Sequence, residues 1–110
     1  MMHIRIAGKQ IEIGEALPRR VRQRLAATVG KHLDRDAEAS VTFMKERFGF
    51  RADCSVHLSS GAFMRARGTG PDAYKAFDIA LDHLQTRLRR YKRRLKNHHD
   101  RGGQIPAGRA

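Results

Sequence analysis

The chain has 110 residues, 23 Lys and Arg against 11 Asp and Glu, 40% hydrophobic residues and a single cysteine. That length holds one compact domain and hardly two, the composition is globular rather than disordered, and Cys54 alone excludes an internal disulfide and fits a reducing compartment. A net charge of +12 opposes compaction by self-repulsion and calls for a polyanion, nucleic acid first and an anionic membrane surface second.

The opening MMHIRIAGKQIEIG alternates and carries charge early, unlike the uninterrupted apolar core of a signal sequence. No apolar run approaches the roughly 20 residues that span a bilayer, and the chain reads as cytoplasmic. His3–Ala7 places Ile4 and Ile6 on one face, a first strand, and beyond Gly8 the pattern continues with Ile11 and Ile13. Leu17, Val21, Leu25 and Val29 then recur every four residues, with Leu33 after them, as one helix stripe. Glu15 suits its first turn by the helix dipole, and Pro18 falls where a missing N–H costs little. Gly30 and the run DRDAEA mark its exit.

Ala39, Val41 and Phe43 alternate with Ser40, Thr42 and Met44, and the glycine of FGF at 48–50 signals a turn. The clearest strand is 51–59. Ala52, Cys54, Val56 and Leu58 face one way; Arg51, Asp53, Ser55, His57 and Ser59 face the other. Ser60-Gly61 makes a tight connection, with Gly supplying a positive φ. Strand 62–69 sets Ala62, Met64 and Ala66 against Phe63, Arg65 and Arg67. Asp72 is a plausible N-cap for a last helix over 73–97, whose stripe is Phe77, Leu81, Leu84, Leu88, Tyr91 and Leu95. At roughly 37 Å that helix outruns a strand of about 27 Å. Residues 1–100 are thus expected to form one α+β domain, and 101–110 a flexible tail or the start of a linker. The order β-α-β-β-β-α gives a two-layer sandwich: a four-stranded sheet with two helices packed on one face.

The charge concentrates in RLRRYKRRLK, residues 87–96. With Leu88 at 0°, the stripe clusters within about 60°, while Arg89, Arg90, Arg93 and Arg94 fall between about 100° and 240°. Arg87 and Lys96 flank that arc, and Lys92 snorkels along the stripe. Like charges four residues apart repel by a few tenths of a kcal/mol per pair; a chain that tolerates this has an anion to bind. Arg19, Arg20, Arg22, Arg24 and Lys31 repeat the theme on the first helix, so the two outer faces should form one cationic surface with a groove between them. Arginine forks onto phosphates and stacks on bases. A membrane helix would expose its apolar edge, but this edge must cover the sheet, so no membrane partner is expected. Aromatics are few and most fall on core faces, which favours folded RNA read by backbone and shape over base stacking. The α-β-β-β-α order also occurs in double-stranded RNA-binding domains, by fold analogy only.

Other constellations are weak. Cys54 reads as an inert core thiol. His98-His99-Asp100 point apart on a helix, and His57 lies on a polar face. Asp72, Asp78 and Asp82 read as cap and helix-surface acids. No phosphate loop, GKS or GKT, or Ser/His/Asp spacing is present, so neither an enzyme nor a cofactor, metal or small-molecule substrate is expected.

GKQIEIGEAL at 8–17, FRADCSVHLSSG at 50–61 and GPDAYKAFDIALDHLQTRLRRYKRRLK at 70–96 resemble the ribosome hibernation promoting factor family, which includes the ribosome-associated inhibitor and was once called sigma-factor modulation proteins. The resemblance runs from about residue 2 to residue 100; Asp72, Tyr74, Ala76, Phe77 and Asp78 are its most specific part. Gly14 departs from the Ser or Thr cap of many members. The resemblance implies binding to the small ribosomal subunit in the channel of messenger RNA and transfer RNA anticodon ends, blocking translation in starvation or stationary phase. It also implies rRNA contacts. Carried onto this sequence these are Arg20 and Arg24; Lys75, Arg87, Arg90, Arg93 and Arg94; and, as lesser candidates, Arg65 and Arg67. Long relatives add a linker and a second, dimerising domain that joins two ribosomes. The alternatives are a general duplex RNA or DNA binder and a protein-interaction module.

Overall fold

The structure, a computed structural model, describes residues 2–32 and 36–102. Alternation in the first segment produces β1, Met2–Lys9, which extends the anticipated His3–Ala7 by one residue at its start and two at its end. The chain leaves the strand at Gln10, whose φ is +62°. Ile11 and Ile13 therefore do not continue the strand, but they pack half-buried against the core. Helix α1 spans Ala16–His32. Glu15 stands one residue ahead of the first turn rather than in it, and its carbonyl accepts from the Arg19 amide at 3.3 Å. Gly30 lies inside α1 and does not end it; Leu33 is outside the described residues.

Strands β2, Ala37–Glu46, and β3, Gly49–Leu58, meet at the pair Glu46↔Gly49. Only Arg47 and Phe48 turn, so the FGF glycine opens a strand instead of interrupting one. Residues 59–62 lead to β4, Phe63–Gly70. There the Leu58 amide donates to the Ala62 carbonyl at 2.9 Å, and Gly61 has the positive φ that its position called for. Helix α2, Ala73–Gly102, outlasts its anticipated end at 97 by five residues. Asp72 caps it, Oδ1 accepting from the Lys75 amide at 2.8 Å. Residues 103–110 of the expected tail lie outside the described residues.

The four strands form one sheet in chain order, β1-β2-β3-β4. β1 runs parallel to β2, as a helical crossover requires, and the other neighbours are antiparallel. Both helices cover one face, giving the expected α+β sandwich. Val41, Phe43, Ala52, Cys54, Val56 and Ala66 look inward at Val21, Leu25, Phe77, Leu84 and Leu88, all buried. The Phe43 and Phe77 rings meet at 6.4 Å. Each fully buried Leu, Val or Phe contributes about 1.5–3 kcal/mol before chain entropy is offset. Cys54 is 2% exposed, and burial, helped by the Asp53 charge, pushes its thiol up to about 12.

One detail departs from expectation: Leu95 is exposed, because α2 has outrun the sheet by then. Four of the seven aromatics lie on core faces, as expected: Phe43 and Phe77 are buried and Phe50 and Tyr91 pack half-buried against the core, whereas Phe48 is 90%, Phe63 57% and Tyr74 41% exposed. Phe48 sits at a hairpin tip, and Phe63 on the uncovered face of an edge strand. Neither position has a neighbouring layer to pack against.

Candidate nucleic-acid interface

Strand alternation sends every second side chain to the face that no helix covers. Register aligns them in rows across that face: Arg5, Ser40, Ser55 and Arg65 in one; Ala7, Thr42, Asp53 and Arg67 in the next. Part of this charge is neutralised locally. Arg67 Nε meets Asp53 Oδ1 at 2.9 Å, and Arg51 meets Glu46 at 3.1 Å and Asp53 at 3.5 Å. Arg65 instead lies against the Phe63 ring, its guanidinium carbon 5.8 Å from the centroid.

Helix α2 brings the rest. At Gly68 a Cβ would overlap the Ala76 carbonyl oxygen and the Ala80 amide, so glycine lets the helix backbone seat directly on β4. One turn on, His83 Nδ1 lies 2.9 Å from the Arg67 carbonyl oxygen. That oxygen only accepts, so Nδ1 carries the hydrogen. Farther along, Tyr91 and Ser60 share a hydroxyl–hydroxyl hydrogen bond at 2.9 Å, tying the helix to the β3–β4 loop. These contacts fix the helix's rotation. At 100° per residue, Arg87, Arg90 and Arg94 stand on the same flank as His83, along the edge of β4. A trough crosses the open face from Lys9 through Asp53, Arg65 and Arg67 to Arg87. A second cleft joins it, lined by Phe63, Arg65, Arg87, Arg90, Tyr91 and Arg94. Among the described residues, Arg65, Arg87, Arg90 and Arg94 have no carboxylate within ion-pair distance.

Five of the nine sequence candidates thus gather around β4: Arg65, Arg67, Arg87, Arg90 and Arg94. The other four lie apart. Arg20 bridges the helices, donating to Asp78 at 3.1 and 3.3 Å with Tyr74 5.9 Å from its guanidinium carbon. Asp78 is therefore an interhelical partner, and that bridge spans the groove anticipated between α1 and α2. Arg24 is exposed one turn farther on. Lys75 is exposed in the first turn of α2, and Arg93 is exposed on the back of that helix. Sequence reasoning missed Lys9, because the first strand was ended at Ala7, and Phe63, whose alternation with Arg65 and Arg67 had already put it on the polar face.

Among the described residues no group of three or more His, Cys, Asp or Glu is placed to hold a metal, and no helix is long and apolar enough to cross a membrane. The side chains of His98, His99 and Asp100 lie outside the described set.

A family model described as Sigma 54 modulation protein / S30EA ribosomal protein matches residues 4–96. A ribosome hibernation promotion factor of Bradyrhizobium diazoefficiens is 44% identical over 96 residues, covering 87% of this chain and 47% of that protein. One of Rhizobium meliloti is 39% identical over 103 residues, covering 94% and 54%. The chain spans about half the length of the curated relatives it matches. Among solved structures, the Thermus thermophilus Protein Y N-terminal domain superposes with a TM-score of 0.73 at 28% identity, over 83% of this chain and 99% of that one. A ribosomal subunit interface protein from Coxiella burnetii gives 0.67 at 26%, over 83% and 98%.

Proposed function

The chain belongs to the Sigma 54 modulation protein / S30EA ribosomal protein family, and on that premise we propose that it is a non-catalytic ribosome hibernation domain. It binds the small ribosomal subunit in the decoding and messenger-channel region and blocks translation under starvation or in stationary phase. The observation that carries this reading is the uncompensated arginine cluster of Arg65, Arg87, Arg90 and Arg94, gathered from two elements around β4. Four unpaired guanidinium groups in one open cleft repel one another unless an anion sits among them. Each forks onto phosphate oxygens and releases condensed counterions from the RNA. Arg67 and Lys9 extend the same surface; Arg24, Lys75 and Arg93 offer flanking charge; Arg20 contributes what its pairing with Asp78 leaves free. The cytoplasm is the compartment that such a partner implies. Residues 1–100 form the ribosome-binding domain in this reading. The tail or linker belongs beyond Gly102, where α2 ends, and past it a second domain would join ribosomes in longer forms.

Co-sedimentation with purified small subunits at physiological salt tests it, with duplex RNA as competitor. The wild-type chain should pellet stoichiometrically and resist the duplex, while an Arg87→Glu/Arg90→Glu/Arg94→Glu variant stays in the supernatant. Easy displacement by duplex RNA would make the chain a generic phosphate binder. A variant that pellets like wild type would remove the β4 edge from the interface.

A further inference from the structure

We propose that Phe63 is a stacking platform for an unpaired nucleobase, so that this surface takes RNA with bases exposed in single-stranded form in preference to uninterrupted duplex. The inference rests on the RNA-binding reading above and adds the kind of RNA. Phe63 opens β4 on the face that no helix covers and is 57% exposed. An exposed ring at an edge strand contributes nothing to the core. Its surroundings are what set it apart from an incidental surface aromatic. It lines the same cleft as Arg65, Arg87, Arg90 and Arg94, so a strand whose phosphates meet those guanidinium groups carries its bases to the ring.

The ring is also held in place. The His57 imidazole stands edge-on to it at 5.9 Å and 84°. Arg65 lies 5.8 Å from its centroid. Behind it, the Leu58–Ala62 backbone bond and the Ser60–Tyr91 hydrogen bond fix the loop from which β4 starts. A ring that does not reorganise loses little entropy on stacking. Guanidinium, phenyl ring and base are all flat π-faces, and Arg65 suits the neighbouring place in such a stack. A cationic groove interleaved with an aromatic ring is the pattern that grips single strands with little sequence preference. In an unbroken duplex every base face is already stacked on its neighbours, and the A-form major groove is too narrow for side chains to reach it. The ring then has no partner, and only the phosphate contacts remain.

The test compares a short unstructured RNA strand with an RNA hairpin duplex of equal phosphate number, at one salt concentration. Phe63→Ala should weaken strand binding by about tenfold, the loss expected of one stacked base, and duplex binding by less than about twofold. Its melting temperature should match wild type, because the ring lies outside the core. The chain contains no tryptophan, so Phe63→Trp supplies a single indole whose fluorescence should be quenched by the strand and not by the duplex. An Arg90→Glu/Arg94→Glu variant should lose both RNAs. The inference is overturned if Phe63→Ala weakens neither RNA or both equally, or if the Phe63→Trp signal ignores the strand; Phe63 would then be a protein contact. In that event, charge-reversal loss leaves the phosphate reading standing. If wild type binds neither RNA, both readings fall together.

Discussion

Two glycine-to-alanine changes in this chain should act with opposite sign, because the structure gives the added methyl opposite surroundings. At Gly68 it overlaps the Ala76 carbonyl oxygen and the Ala80 amide nitrogen and lies 3.0 Å from Ala80 Cα. All three are helix backbone, which has no rotamer to yield, so α2 and β4 must part by about 1 Å. A gap of that size forfeits a quarter to a half of the dispersion contact at each atom pair. It opens in the core, beside Ala76 and Ala80, each fully buried. Overpacking of this kind costs about 3 kcal/mol. At roughly 4–8 °C per kcal/mol for a domain of this size, melting should fall by about 15 °C. At Gly30 the same methyl meets nothing within 4 Å and replaces a poor helix former inside α1. The gain should be about 0.8–1 kcal/mol, or about 5 °C upward. Thermal melts followed by far-ultraviolet circular dichroism read both. A Gly68→Ala protein that melts within a degree or two of wild type would refute the close seating of α2, and with it the geometry that puts Arg87, Arg90 and Arg94 beside β4.

Salt dependence offers a direct count of phosphates. With four unpaired arginines at the cleft, log affinity against log salt should slope by about −3, and each Arg→Ala change among Arg65, Arg87, Arg90 and Arg94 should flatten it by about 0.7–0.9; Arg20→Ala should flatten it least. For the Arg20–Asp78 bridge, at 39% and 33% side-chain exposure, solvent screening limits the coupling in a double-mutant cycle to about 0.5–1 kcal/mol; a value near zero would make the contact incidental. Cys54 should resist thiol reagents in the native state at pH 8 and react only on unfolding. Because its folded pKa is raised, to about 12, the stability tied to it is intact below the ordinary thiol range near pH 9. That stability is lost as pH climbs toward 12, at up to about 1.4 kcal/mol per unit, and Cys54→Ala should remove this increment from alkaline unfolding curves.

Most of the fold was legible because its signals are local. The four-residue stripe from Leu17 to Val29, the strict alternation of 51–59 and the Asp72 cap each report on one element, and each is where the periodicity put it. Boundaries failed where tertiary contact overrides local preference. Gly30 stays helical because Val29 beside it is buried, and Gly49 opens β3 because its partner across the hairpin is Glu46. The site was half legible. Helical spacing shows that Arg87, Arg90 and Arg94 share a flank, but not which neighbour that flank meets. That depends on Gly68, whose role as a close-approach point has no signature in one sequence. Arg20 illustrates the opposite limit: a surface arginine by pattern, it is engaged by an aspartate 58 positions away.

The bare edge of the sheet has a bearing on how the chain folds. β2, β3, β4 and α2 follow one another, so their pairings close short loops, whereas Met2↔Ala37 joins residues separated by the whole of α1. Loop closure makes that parallel pairing the last to repay its entropy. Among the described residues β1, like β4, has no strand on its outer side. Its amides should therefore belong to a weakly protected cooperative unit, exchanging with solvent by local opening before those of the central strands β2 and β3. The arginine cleft and Phe63 stand at the opposite edge of the sheet. A molecule whose first strand has opened, or has yet to dock, gives up Lys9 and keeps the proposed binding edge along β4.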